Sequence, residues 1–596
     1  MFRTLLRQVG SYRRASLLTP LFTAAEVVTD VLIPYVTAML IDKGILVGDV
    51  QRIYGYGALM LGLAFLSLAF GILAGRYAAT ASTGFAANLR SAMYRNIQRF
   101  AFSDIDKYST GGLVTRMTTD VNNLQNAYQQ ILRVTVRAPF RLVLSVVMCL
   151  VIDARLSLIF LVAIAVLGLS LYNIISRVAR LFARVFEQYD ALNRSVQENV
   201  AAIRVVKAFV REGYEAEKFS RAAEGLYRLY VRAESLMALN HPVMNLVVYG
   251  CIIALSWWGA HFIVGGTLTT GELTSLFTYV MSILQALMML SMIFVMLTQS
   301  AASGRRVAEI IDERPDIVNP VSAVTRVADG SVEFRDVRFD YESTAAATVR
   351  QQAGVSRRSA LYDVTFRIDS GQTVGIIGGT GSGKSTLVSL ISRLYDVSEG
   401  AVLVGGRDVR EYDLTALRTA VAVVLQNNTL FTGTVLDNLR WGNPQATLEE
   451  CRHACRLACA DEFVEQLPEG YNTRVEQGGA NLSGGQRQRL CIARALLKQP
   501  HVLVLDDSTS ACDTATDARI QRAFREELPG VTKLIIAQRI STVQHCDRIL
   551  VLSGGAVAGF GTHERLLEEN ALYREIYDLQ HTDLGDFDAP QKGGQL

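Results

Sequence analysis

Apolar side chains are concentrated in the first half of the chain. Six apolar stretches there are each long enough, at about 20 residues, to cross a hydrocarbon layer of ~30 Å as a helix. They cover roughly residues 16–41, 53–79, 134–152, 156–177, 243–265 and 273–299. No comparable stretch follows residue 320. The pattern predicts an α-helical membrane domain of six long transmembrane helices, followed by a water-soluble domain.

The connections between the second and third spans, and between the fourth and fifth, keep a helical pattern for about fifty residues each. Charged residues alternate there with apolar residues at intervals of three or four, which predicts helices that continue beyond the bilayer. Their turns, near "FSDIDKYSTGG" and "VREGYEAEKF", are where we expect the membrane domain to meet a soluble domain.

Composition agrees with this division. The chain has 596 residues, of which 50% are hydrophobic and 19% charged, and its mean hydropathy is +0.24. It is too long for one core and too apolar for a soluble protein. Basic residues precede the first span and fill both long connections, whereas the loop "HFIVGGTLTTGE" between the fifth and sixth spans has no Lys or Arg. Basic residues favour the cytoplasmic side, so we expect both termini there.

The N-terminus shows no short apolar core with a small-residue cleavage site, which predicts a retained first span. Residues 1–14 read as an amphipathic helix on the inner membrane surface, and the alternative is a solvated helical extension of the first span.

The soluble half contains a phosphate-binding loop. "GGTGSGKST" follows the strand "TVGIIG" and opens the helical run "TLVSLISRLY", the context this loop requires. Backbone N–H groups of its glycines are expected to face the phosphates, Lys384 to add a charge at the β and γ groups, and Ser385 to reach Mg²⁺. The predicted nucleotide-binding residues are Gly378, Gly379, Thr380, Gly381, Ser382, Gly383, Lys384, Ser385 and Thr386.

Two further motifs follow this loop. The apolar strand "HVLVLD" ends on Asp506, which is placed to hold Mg²⁺ directly or through water. The segment "LSGGQRQRLCIARAL" is predicted to form a helix, and the start of a helix is a favourable site for an anion. The residues at this start are Ser483, Gly484, Gly485 and Gln486. The loop of the same chain does not use this helix in any obvious way, so it is expected to serve a nucleotide bound elsewhere.

Together with the "SACD" turn and behind six spans, these motifs resemble one half of an ATP-binding cassette exporter over essentially the whole chain. The resemblance implies six membrane helices and an α/β nucleotide-binding domain with a phosphate loop. It also implies two halves that hold two ATP molecules, each between the loop of one half and the signature of the other. We predict a transmembrane domain at 1–310, a linker at 311–330, the ATP-binding cassette at 331–580 and a tail at 581–596.

The resemblance also assigns individual roles. Tyr341 is expected to stack on adenine, Gln426 to sense Mg²⁺ and touch the coupling helices, and Asp513 to lie at the dimer seam. The predicted metal residues are Ser385, Gln426 and Asp506, with ATP and Mg²⁺ as cofactors. The polar insertion "STAAATVRQQAGVSRRS" after Tyr341 departs from the family pattern, and so does "TRVEQGG" ahead of the signature.

The largest departures from the family pattern are at the two positions expected to lie closest to the hydrolysed phosphate. Asp507 stands where the family usually has a glutamate that polarises the attacking water, and Gln538 stands in place of a histidine. A glutamine amide donates a hydrogen bond but carries no proton or charge to the γ-phosphate. Each change alone has a plain interpretation as a tolerated variant. Together they predict a site, with Asp507, Gln538 and Gln426 as its catalytic residues, that binds ATP and hydrolyses it poorly.

An intact "LSGGQ" beside a weak loop site resembles one subunit of a heterodimeric exporter, whose partner supplies the competent site. The alternatives are a homodimeric lipid flippase or drug exporter, and a nucleotide-sensing regulator that transports nothing. The six spans exclude a soluble cassette ATPase acting on nucleic acid. The expected cargo is a hydrophobic or amphipathic small molecule, lipid or peptide, moved across a bacterial inner membrane by a multi-pass protein.

Three other patterns have both a functional and a packing interpretation. A helix carries Cys451, His453, Cys455 and Cys459, for which we predict burial and not metal binding, because no fourth ligand or paired C-x-x-C is present. Methionines in the sixth span, with Gln285, predict either a pore lining or ordinary packing; they are Met281, Met288, Met289, Met292 and Met296. Glu26 and Asp30 share a face of the first span and form either a cation-binding patch or a pair with Arg137 or Arg141.

Overall fold

The computed structural model describes residues 1–341, 359–508 and 511–584. The chain forms two compact units, one of residues 1–98 and 110–313, the other of residues 99–109 and from 314 onward. Most of the insertion predicted at 343–359 and the tail beyond residue 584 lie outside the described residues.

Unit 1 is helical. In chain order the first helices, of which α4 belongs to unit 2, are α1 (Phe2–Arg7), α2 (Arg13–Leu40), α3 (Val50–Ile97), α4 (Phe102–Tyr108), α5 (Thr110–Thr115), α6 (Val121–Ile152), α7 (Ala154–Ala201), α8 (Ile203–Ala208), α9 (Glu212–Ala238), α10 (Asn240–Val264) and α11 (Thr270–Asp312). In the described part of the chain, six helical segments are long and apolar enough to cross a membrane. They coincide with the six stretches predicted from the sequence.

The long helices extend far beyond a bilayer, as the sequence pattern predicted. Helices α3 and α7 have 48 residues each. At about 1.5 Å per residue each is ~72 Å long, more than twice the hydrocarbon thickness. Both begin at an aspartate, Asp49 or Asp153, whose side chain accepts hydrogen bonds from the first backbone N–H groups. Apolar side chains of α2, α6, α7, α10 and α11 share one buried cluster, which includes Val27, Cys149 and Tyr279.

The N-terminal segment differs from the prediction of one helix over residues 1–14. Helix α1 ends at Arg7, a 3₁₀ turn covers Gly10–Tyr12, and α2 begins at Arg13. Gly10 adopts a φ of 52°, a left-handed conformation that interrupts a helix. Asn88 of α3 fixes the break by donating from Nδ2 to the carbonyl of Gln8 at 2.8 Å.

Unit 2 is an α/β domain. Its strands are β1 (Val332–Phe339), β2 (Leu361–Ile368), β3 (Thr373–Gly378), β4 (Glu399–Val404), β5 (Arg407–Asp408), β6 (Val421–Val424), β7 (Gly433–Thr434), β8 (Arg474–Val475), β9 (Val502–Asp506), β10 (Thr532–Ile536), β11 (Arg548–Ser553) and β12 (Ala556–Gly561). Its remaining helices are α12 (Lys384–Ile391), α13 (Leu414–Ala420), α14 (Val435–Arg440), α15 (Leu448–Leu457), α16 (Asp461–Glu465), α17 (Gly484–Leu496), α18 (Thr514–Glu527), α19 (Ile540–Val543), α20 (His563–Glu569) and α21 (Ala571–Leu584).

The main sheet of unit 2 has the strand order β12-β11-β3-β10-β9-β6. Four of its five strand pairings are parallel, and the edge strand β12 pairs with β11 in the antiparallel direction. Every residue of β9 and β10 is buried, as expected for parallel strands covered on both faces. The carboxyl ends of β3, β6, β9 and β10 therefore lie along one edge, which carries the candidate site.

A second, antiparallel sheet has the order β2-β1-β4-β5 and packs its apolar face on the same core. Helix α4, from the first predicted turn, clusters with this unit. Tyr395 donates from Oη to the Asp106 carboxylate of α4 at 2.7 Å, and its ring lies 6.0 Å from that of Phe102.

Candidate nucleotide site

The loop between β3 and α12 is shaped by glycines. Gly381 and Gly383 have φ values of 78° and 96°, which L side chains rarely adopt. A Cβ on Gly383 would lie 2.8 Å from the carbonyl oxygen of Ala360, so no other residue fits there. At Gly379 and Gly381 the corresponding space is open. The loop thus presents an uncovered backbone surface at the N-terminus of α12.

Lys384 lies at the centre of this loop. Its Nζ donates to the carbonyls of Gly378 at 2.7 Å and Gly379 at 2.9 Å. Burial lowers the pKa of Lys384, against the opposing charges of Asp506 and Asp507. Ser382 in the same loop has a buried Oγ that makes no hydrogen bond among the described residues. A positive charge and a spare hydroxyl beside an open backbone suit a phosphate chain.

Asp506 ends β9 and faces the same loop. Burial raises its pKa, an effect countered by a hydrogen bond from Ser385 and by the charge of Lys384, while Asp507 raises it further. A hydroxyl beside a buried carboxylate is an oxygen donor set of the kind that Mg²⁺ prefers, so the residues fit this ion. Gln426 follows β6, whose Val424 pairs with Leu505, and its side chain is exposed. The sheet therefore brings Gln426 to the same edge, and its role at the metal stays a prediction.

The two residues that depart from the family pattern contact each other. Gln538 donates from Nε2 to Asp507 Oδ2 at 3.1 Å. They meet because β9 and β10 are neighbours in register, with Asp506 opposite Ile536. Asp507 has a φ of 48°, and its N–H donates to the Ile536 carbonyl at 3.1 Å. The carboxylate is thus oriented by the amide that replaces a histidine.

Tyr341 lies beside the phosphate loop. Its Oη and Thr386 Oγ1 are 3.0 Å apart, and its ring makes edge contacts with Phe339 and Tyr395 at centroid distances of 4.9 and 5.3 Å. The side chain is 51% exposed, so a face of the ring remains available to a planar ligand. The adenine assignment stays a prediction with this geometry in its favour.

The signature motif begins α17 with a capping box. Ser483 Oγ accepts from the N–H of Gln486 at 3.3 Å, and Gln486 Oε1 accepts from the N–H of Ser483 at 2.9 Å. A Cβ on Gly485 would lie 2.8 Å from the carbonyl oxygen of Ala511, and one on Gly484 would touch Ala511 Cβ at 3.5 Å. Among the described residues the hydrogen bonds of this capping box stay within the motif, and its service to a nucleotide bound elsewhere stays a prediction.

Asp513, predicted at a dimer seam, caps α18. It accepts from the N–H of Thr516 at 2.6 Å and from the Thr516 hydroxyl at 2.9 Å. These hydrogen bonds lower the pKa of Asp513, so the side chain is ionised at neutral pH. Its place at a seam stays a prediction.

Three residues that the sequence analysis missed support the site. Gln488, buried in α17, accepts from the N–H of Ala511 at 3.0 Å and donates to the Asp507 carbonyl at 3.4 Å. Ser508 donates to the Val424 carbonyl at 3.1 Å. Gln580 of α21 donates to the Gln538 carbonyl at 2.9 Å and accepts from the N–H of Ile540 at 2.8 Å. Only Gln488 had a sequence signal, a polar residue on the apolar face of a helix.

The cysteine cluster is buried, as predicted. Burial raises the pKa of Cys451 and Cys459, and that of Cys455 to about 12, which keeps these thiols protonated. Among the described residues no group of three His, Cys, Asp or Glu side chains could hold a metal ion.

The acids of the first span are paired. Arg137 Nη2 lies 3.2 Å from Glu26 Oε1 and 3.4 Å from Asp30 Oδ2, and Ser67 donates to Asp30 Oδ1 at 2.6 Å. The pairing alternative is therefore confirmed.

The methionine stripe of α11 is uneven. Met281 and Met292 are 51% and 77% exposed, and Gln285 is also exposed. Met288, Met289 and Met296 are partly buried, whereas Ile283, Leu284 and Leu287 pack into the helical core. One face of α11 is therefore open along several turns.

Comparisons with known proteins cover most of the chain. The model for the "ABC transporter transmembrane region" matches residues 17–288, and that for "ABC transporter" matches residues 361–510. YfiB of Bacillus subtilis, an uncharacterized ABC transporter ATP-binding protein, is 35% identical over 93% of this chain and 94% of its own length. An ATP-dependent lipid A-core flippase of Syntrophus aciditrophicus is 34% identical over 83% of this chain and 80% of its own length.

The solved structure of a bacterial Atm1-family ABC exporter with ATP bound has the same fold. It superimposes with a TM-score of 0.80 at 24% identity and covers 98% of this chain and all of its own.

Proposed function

The chain belongs to the ABC transporter family, and we propose that it is one subunit of a dimeric ATP-driven exporter whose own loop site holds ATP and hydrolyses it slowly. The observation that carries the proposal is the hydrogen bond between Asp507 and Gln538 beside an otherwise complete phosphate loop. The side chains of Asp507 and Gln538 are hydrogen-bonded to each other. Activation of a water molecule would instead need a free base and a charged or proton-carrying partner.

The remaining residues keep their tasks in binding. Backbone N–H groups of the loop and Lys384 bind the phosphates, Thr386 and Tyr341 border the adenine side, and Ser385 with Asp506 would hold Mg²⁺, which supplies charge neutralisation at the phosphates. ATP at this site then joins the two nucleotide-binding domains without rapid turnover. The capped start of α17 serves the nucleotide of the partner's loop, where most hydrolysis occurs.

In this proposal the binding of two ATP molecules closes the nucleotide-binding domains and turns the membrane cavity outward. Hydrolysis at one site then returns the transporter to its starting conformation. The cytoplasm lies on the side of the long helical extensions and of both termini. The cargo is hydrophobic or amphipathic, which the exposed methionine face of α11 supports.

A second candidate is a homodimeric lipid flippase. It is favoured by relatives named lipid A-core flippase, from Syntrophus aciditrophicus and Desulfotalea psychrophila, at 34% and 30% identity. The purified chain alone separates the candidates. We expect it to bind ATP in a Lys384-dependent manner with little steady-state hydrolysis. Vigorous hydrolysis by the chain alone, with lipid-stimulated turnover, contradicts the first proposal and supports the second.

A further inference from the structure

Three arginines follow one face of the membrane helix α6 at intervals of four residues, at positions 133, 137 and 141. The helix ends at Ile152, so Arg141 and Arg133 lie about 17 and about 29 Å from that end. A hydrocarbon layer of ~30 Å therefore contains Arg141 near its middle and Arg133 at its far boundary. The arginines occupy the half next to the helical extensions.

This face carries more positive than negative charge. Glu26 and Asp30 both pair with Arg137, whereas Arg133 and Arg141 make no hydrogen bond or ion pair among the described residues. The buried Nε atoms of Arg137 and Arg141 also lack partners. Three guanidinium groups against two carboxylates leave one positive charge in excess. Such a charge in a membrane segment needs a counter-charge.

The neighbouring helix α3 approaches this charged cluster through two glycines. Gly71 and Gly75 are on the face of α3 that approaches the cluster. A Cβ on Gly71 would lie 3.2 Å from Glu26 Oε1, and one on Gly75 would lie 4.0 Å from Arg133 Nη1. Helix α6 also exposes apolar side chains, among them Phe140, Val143 and Val147. A cationic strip next to an exposed apolar strip suits a ligand with an anionic head and an apolar tail.

A second copy of this chain supplies no spare counter-charge. The six apolar stretches contain only two acids, Glu26 and Asp30, and Arg137 already pairs with both. We propose that Arg133 and Arg141 bind the phosphate-bearing headgroup of an anionic amphiphile, with the Arg137 ion pairs fixing the helix face between them. This inference rests on the proposed function, because it names the class of cargo that enters from the cytoplasmic leaflet.

The test measures binding without nucleotide, so it does not depend on hydrolysis. The full chain is placed in nanodiscs of phosphatidylcholine with increasing phosphatidylglycerol, and native mass spectrometry counts the retained anionic lipid. We expect the wild-type chain to prefer phosphatidylglycerol, and R133Q/R141Q to bind it about tenfold more weakly per arginine removed. R155Q, at the opposite end of the membrane region, is the matched control for lost charge and should keep the preference.

A soluble arm with glycerol phosphate identifies the source of the anion. Arginine-dependent binding of glycerol phosphate together with a lipid preference supports the inference, whereas binding of glycerol phosphate without a lipid preference overturns the lipid source and with it the inference. Equal binding of both lipids by the wild-type chain overturns the inference without any variant, and so does an unchanged preference in folded R133Q/R141Q. If the glutamine variant misfolds, R133K/R141K replaces it in the test. This variant keeps both charges and should retain part of the preference. A wild-type chain that binds ATP but shows no phosphatidylglycerol preference refutes this inference alone, whereas a wild-type chain that keeps the preference but does not bind ATP refutes the proposed function alone.

Discussion

The replacement Asp507→Asn tests the proposed role of the altered site with little risk to folding. Asparagine has the same shape as aspartate and tolerates the left-handed backbone that Asp507 adopts, with φ of 48°. The backbone contacts of residue 507 with Ile536 and Gln488 do not involve its side chain. The variant therefore removes a negative charge and leaves the end of β9 in place.

The two interpretations of Asp507 differ greatly in magnitude. A working general base contributes about 10²- to 10⁴-fold in rate, or about 2.7 to 5.4 kcal/mol of barrier. A carboxylate that mainly accepts the 3.1 Å hydrogen bond from Gln538 contributes little to the transition state. We therefore expect Asp507→Asn to lower the ATPase rate of the purified complex by less than about threefold, or about 0.7 kcal/mol.

The assay is steady-state ATPase of the purified complex, with ATP binding and thermal unfolding measured in parallel. Lys384→Ala is the control that empties the site, and it should abolish binding at the loop. The double variant Asp507→Glu/Gln538→His restores both side chains of the family pattern and should raise the ATPase rate. A hundredfold loss in Asp507→Asn, with normal binding and melting, would show that Asp507 is a catalytic base and would refute the proposal.

Other consequences are measurable in the same preparation. Ser483→Ala removes a helix cap of about 1 kcal/mol, so thermal stability should fall slightly while the ATPase rate of the complex falls at least tenfold, because the motif faces the partner's nucleotide. Gln580→Ala should speed hydrogen exchange next to Gln538 at unchanged ATP affinity, whereas Gln580→Glu keeps the acceptor for the Ile540 N–H and should have a smaller effect. Met292→Ala should change which compounds stimulate ATPase, with basal turnover unchanged; an identical profile would make it a packing residue. Because burial raises the pKa of Asp506, Mg²⁺-dependent nucleotide affinity should decline, on acidification, at a higher pH than for an ordinary aspartate; a pH-independent affinity would contradict this.

The fold was largely predictable because its signals are local. Six long apolar stretches have no stable alternative to membrane helices, and the strand, glycine loop and helix around Lys384 are contiguous in the chain. The N-terminal segment was predicted wrongly, because a single glycine at position 10 changes the backbone direction within an otherwise helical pattern. A helical pattern does not by itself show where one residue leaves the helical conformation.

The contact that carries the proposed function was not predictable from the sequence. Asp507 and Gln538 are separated by 31 positions, and they meet only because β9 and β10 are adjacent and in register. Periodicity identifies each strand but gives no strand order. The same holds for Gln580, whose side chain reaches the backbone of Gln538 from the last described helix. The residues of the site were therefore predictable by motif, and the contacts among them were not.

The charge of the membrane cluster shows how a local pattern can suggest the opposite ligand. Glu26 and Asp30, read on their own helix, are a candidate cation site, since two acids share one face. The structure places Arg137 against both acids, so their charges are neutralised within the protein by ion pairs. Replacing both by amides would then leave Arg137 unpaired beside two other arginines, and the loss would fall equally on cationic and neutral cargo. Selective loss for cationic cargo would instead restore the cation site and leave the arginine face without its proposed ligand.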